Sequence, residues 1–275
     1  MKRGKQIQLA LSYIIVIGSL VVFLFPIVWL TISSFKPPAD LLEMSLPSQL
    51  TLENYQVVVD TYPVTLYLRN SLLTAVGSTL LSVCTGALAA YGLARYRFRG
   101  NRLALLFMLV LRMLPGIAVG IPLYLLFSKL QLTENRISLI LAECAVFQIP
   151  LVTWIMYGFF QDIPFDLAEA GLVDGCTRLS VLYHIVLPLA APGLAVAAVF
   201  AFLISWNDFG LSLTLVSTPD MLTMPVALAQ MNMQYGVRWD NMSAAAIMYI
   251  IPTMIMALLL QRYITRGLTA GAIKG

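Results

Sequence analysis

Long apolar runs separated by short polar segments dominate this chain. No charged residue occurs between Lys5 and Lys36, and none occurs between Arg69 and Arg95. A helix needs about 20 apolar residues to cross a hydrocarbon core roughly 30 Å thick, and both runs exceed that length. Six such stretches cover residues 7–32, 70–94, 103–128, 137–160, 186–207 and 242–262. The pattern predicts an all-helical integral membrane protein with six transmembrane helices in a single domain over residues 1–275.

Composition excludes a soluble domain. Hydrophobic residues make up 60% of the chain and charged residues only 11%, whereas a soluble domain carries about 25% charged residues. The basic start from Met1 to Lys5 imitates a secretory signal. The apolar run that follows is too long for a signal core and has no small-x-small cleavage site after a short stretch, so we interpret it as a retained first helix.

Lys and Arg in the short loops predict the orientation. With the amino terminus inside, eleven basic residues lie on the cytoplasmic side and five on the outer side. The cytoplasmic set is Lys2, Arg3, Lys5, Arg95, Arg97, Arg99, Arg102, Arg178, Arg262, Arg266 and Lys274, and the outer set is Lys36, Arg69, Lys129, Arg136 and Arg238. Both termini are therefore expected in the cytoplasm, with long outer loops over 33–69 and 208–241. This topology accounts for the net charge of +4 without a nucleic-acid partner.

The chain offers no evident catalytic constellation. It lacks a Gly-x-x-x-x-Gly-Lys-Ser/Thr phosphate loop, so it does not bind ATP by that route. The single histidine, His184, has no evident nucleophile or metal partner, and loop polarity or docking explains it better than catalysis. The three cysteines are scattered and odd in number, which indicates small apolar packing rather than a disulfide or a metal site. We therefore predict a non-enzymatic chain that holds no cofactor or metal.

The cytoplasmic segment 161–192 is polar and patterned. Asp166, followed three residues later by Glu169, forms a capping-box arrangement that starts a helix. Gly175, which comes after Asp174, suits the left-handed residue that ends one. The pattern predicts a short helix from about Leu167 to Val173, lying outside the bilayer.

Small residues on this helix favour docking of another protein. Ala168, Ala170 and Gly171 allow a partner surface to approach the backbone closely, and Glu169 and Asp174 supply charge at the rim. The alternative is an amphipathic helix resting on lipid. Such helices usually carry Lys and Arg on the polar face, whereas this one carries acids that anionic lipid would repel.

The run Glu169-Ala170-Gly171, followed by Asp174-Gly175 and Leu187-Pro188, resembles the EAA loop of ATP-binding-cassette importer permeases. In that family the loop forms a coupling helix that seats in a cleft of the ATP-hydrolysing subunit. The resemblance implies ATPase docking at a set of residues near this helix: Asp166, Glu169, Ala170, Gly171, Asp174 and Gly175. Gly171 departs from the pattern, where a second alanine is expected, and glycine costs a helix about 1 kcal/mol relative to alanine.

A wider resemblance covers nearly the whole chain and points to the carbohydrate branch, similar to the smaller of the two maltose-type permease subunits. Its motifs are Ser34-Phe35-Lys36-Pro37, Thr51-Leu52-Glu53-Asn54-Tyr55, Asn70-Ser71-Leu72, Phe98-Arg99-Gly100, Trp206-Asn207-Asp208 and the ending from Gly267 to Gly275. The resemblance implies a bacterial inner-membrane permease that passes a sugar. It also implies a second, different permease subunit, two subunits that bind ATP and Mg, and an extracytoplasmic sugar-binding protein.

The same resemblance implies roles for two further regions, an outer loop and the carboxyl-terminal tail. The outer loop 208–241 of relatives reaches into the docked binding protein, and amide and aromatic residues here suit a sugar, although an ordinary wet loop is the alternative. The residues expected on this loop or the substrate pathway are Glu143, Gln148, Trp206, Asn207, Asp208, Gln230, Tyr235 and Trp239. The tail 263–275 is expected to tuck between the ATPase subunits through Gly271 and Lys274, although its composition also suits a disordered end.

Two charged residues lie within the apolar stretches, where charge costs at least about 2.5 kcal/mol. Arg112 and Glu143 fall at similar depth on antiparallel neighbours, so we hypothesise that they pair, or at least face the same protein interior. The rival interpretation is that Glu143 faces a water-filled path to substrate. Pro115, Pro122 and Pro150 indicate interrupted helices at the same depth. Two nearby glycines, Gly116 and Gly120, also fit small-xxx-small helix packing.

Three rival functions remain open on the sequence. An importer of a polyamine, phosphate or amino acid would share the coupling loop, but the lack of a charged cluster within the helices favours a neutral solute. A proton-coupled secondary carrier using Glu143 would leave that loop unexplained. A membrane scaffold that transports nothing is disfavoured by the interrupted helices.

Overall fold

The computed structural model of the chain describes residues 2–40, 45–96, 98–234 and 239–272, and this part of the chain is helical throughout, without strands. The all-helical fold class is thereby confirmed. The helices, in chain order, are α1 Lys2–Ser34, α2 Glu53–Thr61, α3 Val64–Arg95, α4 Asn101–Arg112, α5 Gly116–Lys129, α6 Arg136–Glu143, α7 Ile149–Asp162, α8 Phe165–Val173, α9 Arg178–Val181, α10 Leu187–Leu189, α11 Ala191–Trp206, α12 Gly210–Leu215, α13 Met224–Gln234 and α14 Trp239–Ala272.

Four helical segments in the described residues are long and apolar enough to cross a membrane, and the number rises to six if two bent helix pairs each count as one span. The four are Gln8–Ser34, Val64–Arg95, Arg136–Asp162 and Trp239–Leu259. The bent pairs are α4 with α5, at 100°, and the segment Arg178–Leu189 with α11, at 78°. The six predicted stretches therefore match these segments, but the third and fifth are not single straight helices.

The third predicted stretch is interrupted at Pro115, between α4 and α5. Helix α4 ends at Arg112, and Pro115 has an extended backbone, with φ −69° and ψ 133°. Proline lacks a backbone N–H and pushes its predecessor away from helical geometry. The predicted interruption at Pro115 is confirmed. Pro122, by contrast, lies inside α5.

Two wider π-helical turns interrupt otherwise continuous helices. Residues Cys144–Gln148 join α6 to α7, and residues Leu182–Val186 join α9 to α10. In each turn the next backbone N–H bonds to the carbonyl five residues earlier, from Ile149 to Cys144 and from Leu187 to Leu182. Such turns hold one extra residue and occur frequently at functional sites.

The chain divides into two compact units: residues 1–64 with 228–251, and residues 65–227 with 252–275. In the first unit, the Asn54 side-chain amide donates hydrogen bonds to the carbonyls of Ser34, at 3.0 Å, and Lys36, at 2.7 Å. The Tyr55 and Ser34 hydroxyls are 2.8 Å apart. Two of the motifs that carry the family resemblance therefore meet here, and they fold the segment after α1 back onto its end.

Two apolar cores are seen among the described residues of the second unit. The larger one joins α3, α7 and α11 to the segment after α8, through buried residues such as Val152, Phe160 and Val186. The smaller joins α5, α6 and α12. Close backbone approach is possible at Gly120, where an added Cβ would lie 2.3 Å from the Thr214 hydroxyl. The expected small-residue packing is thus directed at α12 from Gly120, whereas an added Cβ at Gly116 would first meet the Phe147 ring, at 3.0 Å.

Candidate functional site

The exposed helix α8 is the first candidate site, and it begins earlier than predicted. It spans Phe165–Val173, its N-cap is Pro164, and no side chain caps its first turn. The predicted capping box between Asp166 and Glu169 is therefore wrong. Pro164 takes an extended conformation, with φ −55° and ψ 137°, so the helix starts directly after it. Asp166 lies in the first turn, where a negative charge still interacts favourably with the helix dipole.

The end of α8 is as predicted. Gly175 has a φ of +86°, a left-handed conformation that glycine adopts without a Cβ penalty. The Gly175 N–H donates to the carbonyl of Leu172, at 3.1 Å, and the Cys176 N–H donates to that of Gly171, at 3.0 Å. This pair of bonds is the Schellman arrangement. The helix end is therefore fixed by backbone bonding alone, which leaves its side chains free of that task.

Contacts from the rest of the second unit hold α8 in place. Ala168 packs against the larger apolar core. Gly171 is buried, and an added Cβ there would lie 2.6 Å from the Ile185 Cδ1. The guanidinium of Arg95, at the end of α3, lies 4.4 Å from the Phe165 ring centroid and donates to the Ile163 carbonyl at 3.1 Å. Movement of α8 would therefore be transmitted to α3 and to the segment 181–186.

The opposite face of α8 is open. Asp166, Glu169, Ala170 and Asp174 are all exposed, and Val173 is 87% exposed. A cavity of about 140 Å³ beside the helix is lined on its polar side by Arg95, Arg178 and Glu169, and elsewhere by Tyr91, Tyr96, Phe165, Ala168, Leu172 and Val181. An exposed apolar tip rimmed by acids is the composition of a docking surface.

A cluster of buried polar side chains forms the second candidate site. It comprises Ser78 of α3, Glu143 of α6, Gln148 of the π-helical turn and Ser205 of α11, and Glu143 is 1% exposed. The Ser205 hydroxyl donates to the Glu143 carboxylate. Ser78 donates to the Ser205 oxygen at 3.1 Å, and the Gln148 amide donates to Ser78 at 2.9 Å. We call these four residues the buried polar cluster. It links three helices and a π-helical turn.

Two acceptors of the cluster have no hydrogen-bond partner among the described residues. These are Glu143 Oε1 and Gln148 Oε1. An unsatisfied buried oxygen costs about 1–3 kcal/mol. Each of these two oxygens can therefore accept a further hydrogen bond, for example from a water molecule or a substrate hydroxyl.

The predicted ion pair between Arg112 and Glu143 is wrong, and both residues lie in the described part of the chain. Arg112 is exposed at the end of α4, whereas Glu143 is buried and bonded to Ser205. The depth comparison assumed a straight third helix. The 100° bend after Arg112 invalidates that assumption.

The Trp206-Asn207-Asp208 motif performs local structural tasks. Trp206 is 1% exposed and stacks on Phe202 with ring centroids 5.6 Å apart. Asn207 donates to the Leu203 carbonyl at 2.8 Å. The Asp208 carboxylate accepts the N–H of Ser212, at 2.9 Å, at the start of α12. These contacts end α11 and begin α12, so they leave Asp208 engaged rather than presented to a ligand.

The segment 208–241 is not an open loop. It contains α12 and α13, and both helices bury apolar side chains: Leu211 and Leu215 in α12, and Met224 and Val226 in α13. Of the candidates on this segment, Gln230 is half-buried and Trp239 is 60% exposed. Tyr235 lies outside the described residues, as does Lys274 of the tail, and Gly271 lies within α14.

Sequence reasoning missed Ser78 and Ser205 as partners of Glu143. Serine is common in membrane helices, and nothing in its local pattern indicates which of many serines faces a carboxylate. Only the neighbour relations of α3, α6 and α11 reveal the cluster.

Comparison with known proteins identifies the class of protein. A family model described as the binding-protein-dependent transport system inner membrane component matches residues 82–270. Because that range is well over half of the chain, the chain belongs to this family of transport permease subunits, which are membrane-embedded and non-catalytic.

Particular relatives align over almost the full length. The chain is 33% identical over 275 residues to the sulfoquinovosyl glycerol transport system permease protein of Agrobacterium fabrum, covering 99% of this chain and 95% of that one. It is 36% identical over 269 residues to the trehalose/maltose transport system permease protein of Thermococcus litoralis, covering 95% and 96%. A crystal structure of a bacterial importer of the acidic polysaccharide alginate has the same fold, with a TM-score of 0.83 at 21% identity, covering 95% and 98%.

Proposed function

We propose that this chain is the permease subunit of an ATP-driven importer and passes a sugar into the cytoplasm. The observation that carries the proposal is α8, a short helix held rigidly on one face while Glu169, Ala170 and Asp174 stay exposed on the other. Its sequence matches the loop by which permeases of this class dock on ATPase subunits. A helix presented in this way has no evident use inside the chain, and it suits a partner that moves.

A sugar is the favoured solute. Relatives that align over more than nine-tenths of this chain are named as permeases for sulfoquinovosyl glycerol, for trehalose and maltose, and for arabinooligosaccharides. Arg112 is exposed rather than directed into a cluster, so the described spans lack the concentrated charge expected around a polyamine or phosphate. We therefore assign a mono-, di- or oligosaccharide.

The complex is proposed to contain four kinds of polypeptide. An extracytoplasmic binding protein delivers the sugar, this chain and a second, different permease form a heterodimer, and two ATPase subunits hold ATP and Mg. The distribution of basic residues favours a cytoplasmic location for both termini and α8. The coupling loop is then residues 161–192 and the tail is 263–275, with Gly271 and Lys274 close to the ATPase subunits. The segments 33–69 and 208–241 face the binding protein.

Coupling follows from how α8 is attached. ATP binding closes the ATPase subunits and displaces α8 with them. Because α8 packs on Val181 and Ile185 and is tied to Arg95, the displacement reaches α3 and the bent segment before α11. The helices then rock from inward-facing to outward-facing. ATP and the loaded binding protein must each favour one of these states for the cycle to turn.

A charge reversal on α8 tests the proposal. Membrane vesicles containing the chain with its candidate partners should take up sugar only with ATP. Glu169→Lys should abolish co-purification of the ATPase and reduce uptake at least about tenfold, since like charges in an interface cost upwards of 1.4 kcal/mol. The matched control is Asp60→Lys, the same reversal at an exposed residue of α2, which should keep the ATPase bound.

Uptake that persists without ATP would contradict the proposal. That result would instead favour a proton-coupled carrier that uses Glu143. Equal loss of ATPase in the Asp60→Lys and Glu169→Lys variants would show a general effect of charge and would remove α8 from the docking site.

A further inference from the structure

The segment between α12 and α13 is clamped by side chains from two other elements of the second unit. Glu134, in the turn between α5 and α6, accepts hydrogen bonds from the backbone N–H groups of Ser217, at 2.9 Å, and Thr218, at 3.0 Å. The hydroxyls of both residues also donate to its carboxylate. One carboxylate therefore binds four donors of an exposed two-residue stretch.

The backbone at this turn is itself unusual. Glu134 has a φ of +54° and Gln131 a φ of +56°, and these are the only non-glycine residues with positive φ in the described ranges. Side chains disfavour this region, and such residues persist where the surroundings over-determine them and where function requires a fixed geometry. The four hydrogen bonds from Ser217 and Thr218 hold Glu134 in this conformation.

A second set of contacts fixes the other end of the same segment. The Asn70 amide donates to the carbonyls of Asp220, at 2.9 Å, and Leu222, at 3.1 Å. Arg136 donates to the Asn70 side-chain oxygen at 2.7 Å, which fixes the orientation of the amide. The Ser71 hydroxyl accepts the N–H of Met224, the first residue of α13, at 2.8 Å. The Asn70-Ser71 motif thus fixes the residues just before α13 and the first residue of that helix.

We propose that Glu134, Asn70 and Arg136 are positioning residues that hold the segment 217–222 and the start of α13 rigid for docking of the extracytoplasmic binding protein. The proposal rests on the proposed function and on the orientation that places this segment outside. Ser217 and Thr218 are exposed, and their own small side chains contribute little apolar burial. A surface stretch held this firmly is pre-organised, so a partner that docks there loses less conformational freedom on binding.

The charge state of Glu134 fits an outward-facing role. Partial burial raises the pKa of its carboxyl, but the hydrogen bonds from Ser217 and Thr218 outweigh burial and the pKa is lowered overall. A depressed pKa means that the clamp is at full strength above the ordinary glutamate range and weakens only as the pH falls through the lower, folded value. The clamp therefore persists in mildly acidic surroundings.

The test uses the complete complex in lipid vesicles with purified binding protein loaded with sugar. Glu134→Gln keeps the size of the side chain but removes its charge and converts one acceptor into a donor. It should raise the concentration of binding protein that half-saturates ATP hydrolysis by about three- to tenfold. The maximal rate, and hydrolysis without binding protein, should stay within about twofold of the parent protein. Asn70→Ala should shift the half-saturating concentration in the same direction.

The matched control is Gln131→Lys, which changes the net charge by the same one unit at an exposed residue of the same turn and should leave half-saturation unchanged. An equal shift in Gln131→Lys would trace the effect to net charge and overturn the proposal. So would an unchanged half-saturating concentration in Glu134→Gln. If Glu134→Gln reduces the yield of folded complex, Ser217→Ala removes a single donor and should give a smaller shift in the same direction. No shift in that variant would also count against the clamp. Failure of the proposed function is distinguishable, because the parent complex would then show no ATP hydrolysis.

Discussion

Helix α8, the proposed docking helix, and the buried polar cluster both belong to the second unit, yet their polar side chains have opposite environments. Glu169 of α8 and Asp174 at its C-cap are exposed, and the bonds that fix the end of the helix join backbone groups rather than these side chains. In the cluster, Glu143 and Gln148 are 1% and 0% exposed, and their hydrogen bonds go to neighbouring helices.

The contrast distinguishes polar residues that stabilise the fold from polar residues that are available to a partner. Exposed acids on α8 can change without disturbing the chain, so their effect should be visible only in the assembled complex. Buried groups in the cluster have no such freedom, because an orphaned donor in an apolar surrounding costs stability at once. Four substitutions test this difference.

Glu143→Leu should have the largest effect. It removes the acceptor of the Ser205 hydroxyl and places an apolar group in a polar cluster, at about 1–3 kcal/mol for each orphaned group. Thermal unfolding of the purified chain in detergent measures the loss. Glu143→Gln retains an acceptor of similar size and should lose less than half as much. Equal losses would mean that the carboxylate charge, rather than the hydrogen bond, holds the cluster together.

Gly175→Ala should have the second-largest effect. It should lower the free energy of unfolding by about 1–2 kcal/mol, because it forces a side chain into a left-handed conformation. The φ of +86° is the sole cause, since an added Cβ would meet nothing within 4 Å. Unfolding and retention of the ATPase should both decline. Gly158→Ala, at an exposed helical glycine with equally open space, serves as the control and should be neutral or slightly stabilising. A loss at Gly158 as large as at Gly175 would contradict the backbone explanation.

Gly171→Ala should be nearly neutral, within about 1 kcal/mol. The gain in helix propensity is about 1 kcal/mol, and it is offset by crowding against the Ile185 Cδ1. Adding Ile185→Val removes that methyl group and should make the alanine favourable by about 1 kcal/mol relative to Ile185→Val alone. Equilibrium unfolding of the four proteins in this cycle gives the coupling. Independence of the two sites would show that Gly171 does not seat α8 on this segment.

Arg112→Met should have the smallest effect on the cluster. Because Arg112 is exposed while Glu143 is buried, the stability changes of Arg112→Met and Glu143→Gln should add to within about 0.5 kcal/mol. A coupling energy above about 1 kcal/mol would restore the ion pair that the sequence suggested.

The elements that were predictable from sequence depend on local chemistry. Apolar runs located the six stretches, Pro115 marked the bend after α4, and Gly175 marked the end of α8. The start of α8 was wrong because two local signals competed. Asp166 with Glu169 imitates a capping box, but Pro164 two residues earlier had already set the start of the helix.

The elements that were not predictable depend on which helices are neighbours. The other hydroxyls of the cluster around Glu143 come from α3 and α11, far from α6 in the chain. A depth argument cannot recover them when a 100° bend intervenes. The same holds for Glu134, whose four donors lie more than 80 residues away. The positive φ of Glu134 could not be predicted from the sequence, because glutamate usually avoids that region.

The π-helical turn over Cys144–Gln148 has a consequence for evolutionary change. Such a turn accommodates one residue more than a regular α-helix. Deleting one residue there would let α6 and α7 merge into one uninterrupted helix. Side chains after the deletion would keep their orientation, because the turn absorbs the extra residue, whereas a deletion in a regular helix would rotate them by about 100°. Buried faces such as that of Val152 and Phe160 would still meet their partners. Homologues without the turn should therefore align with a one-residue gap at this point, without compensating substitutions along α7.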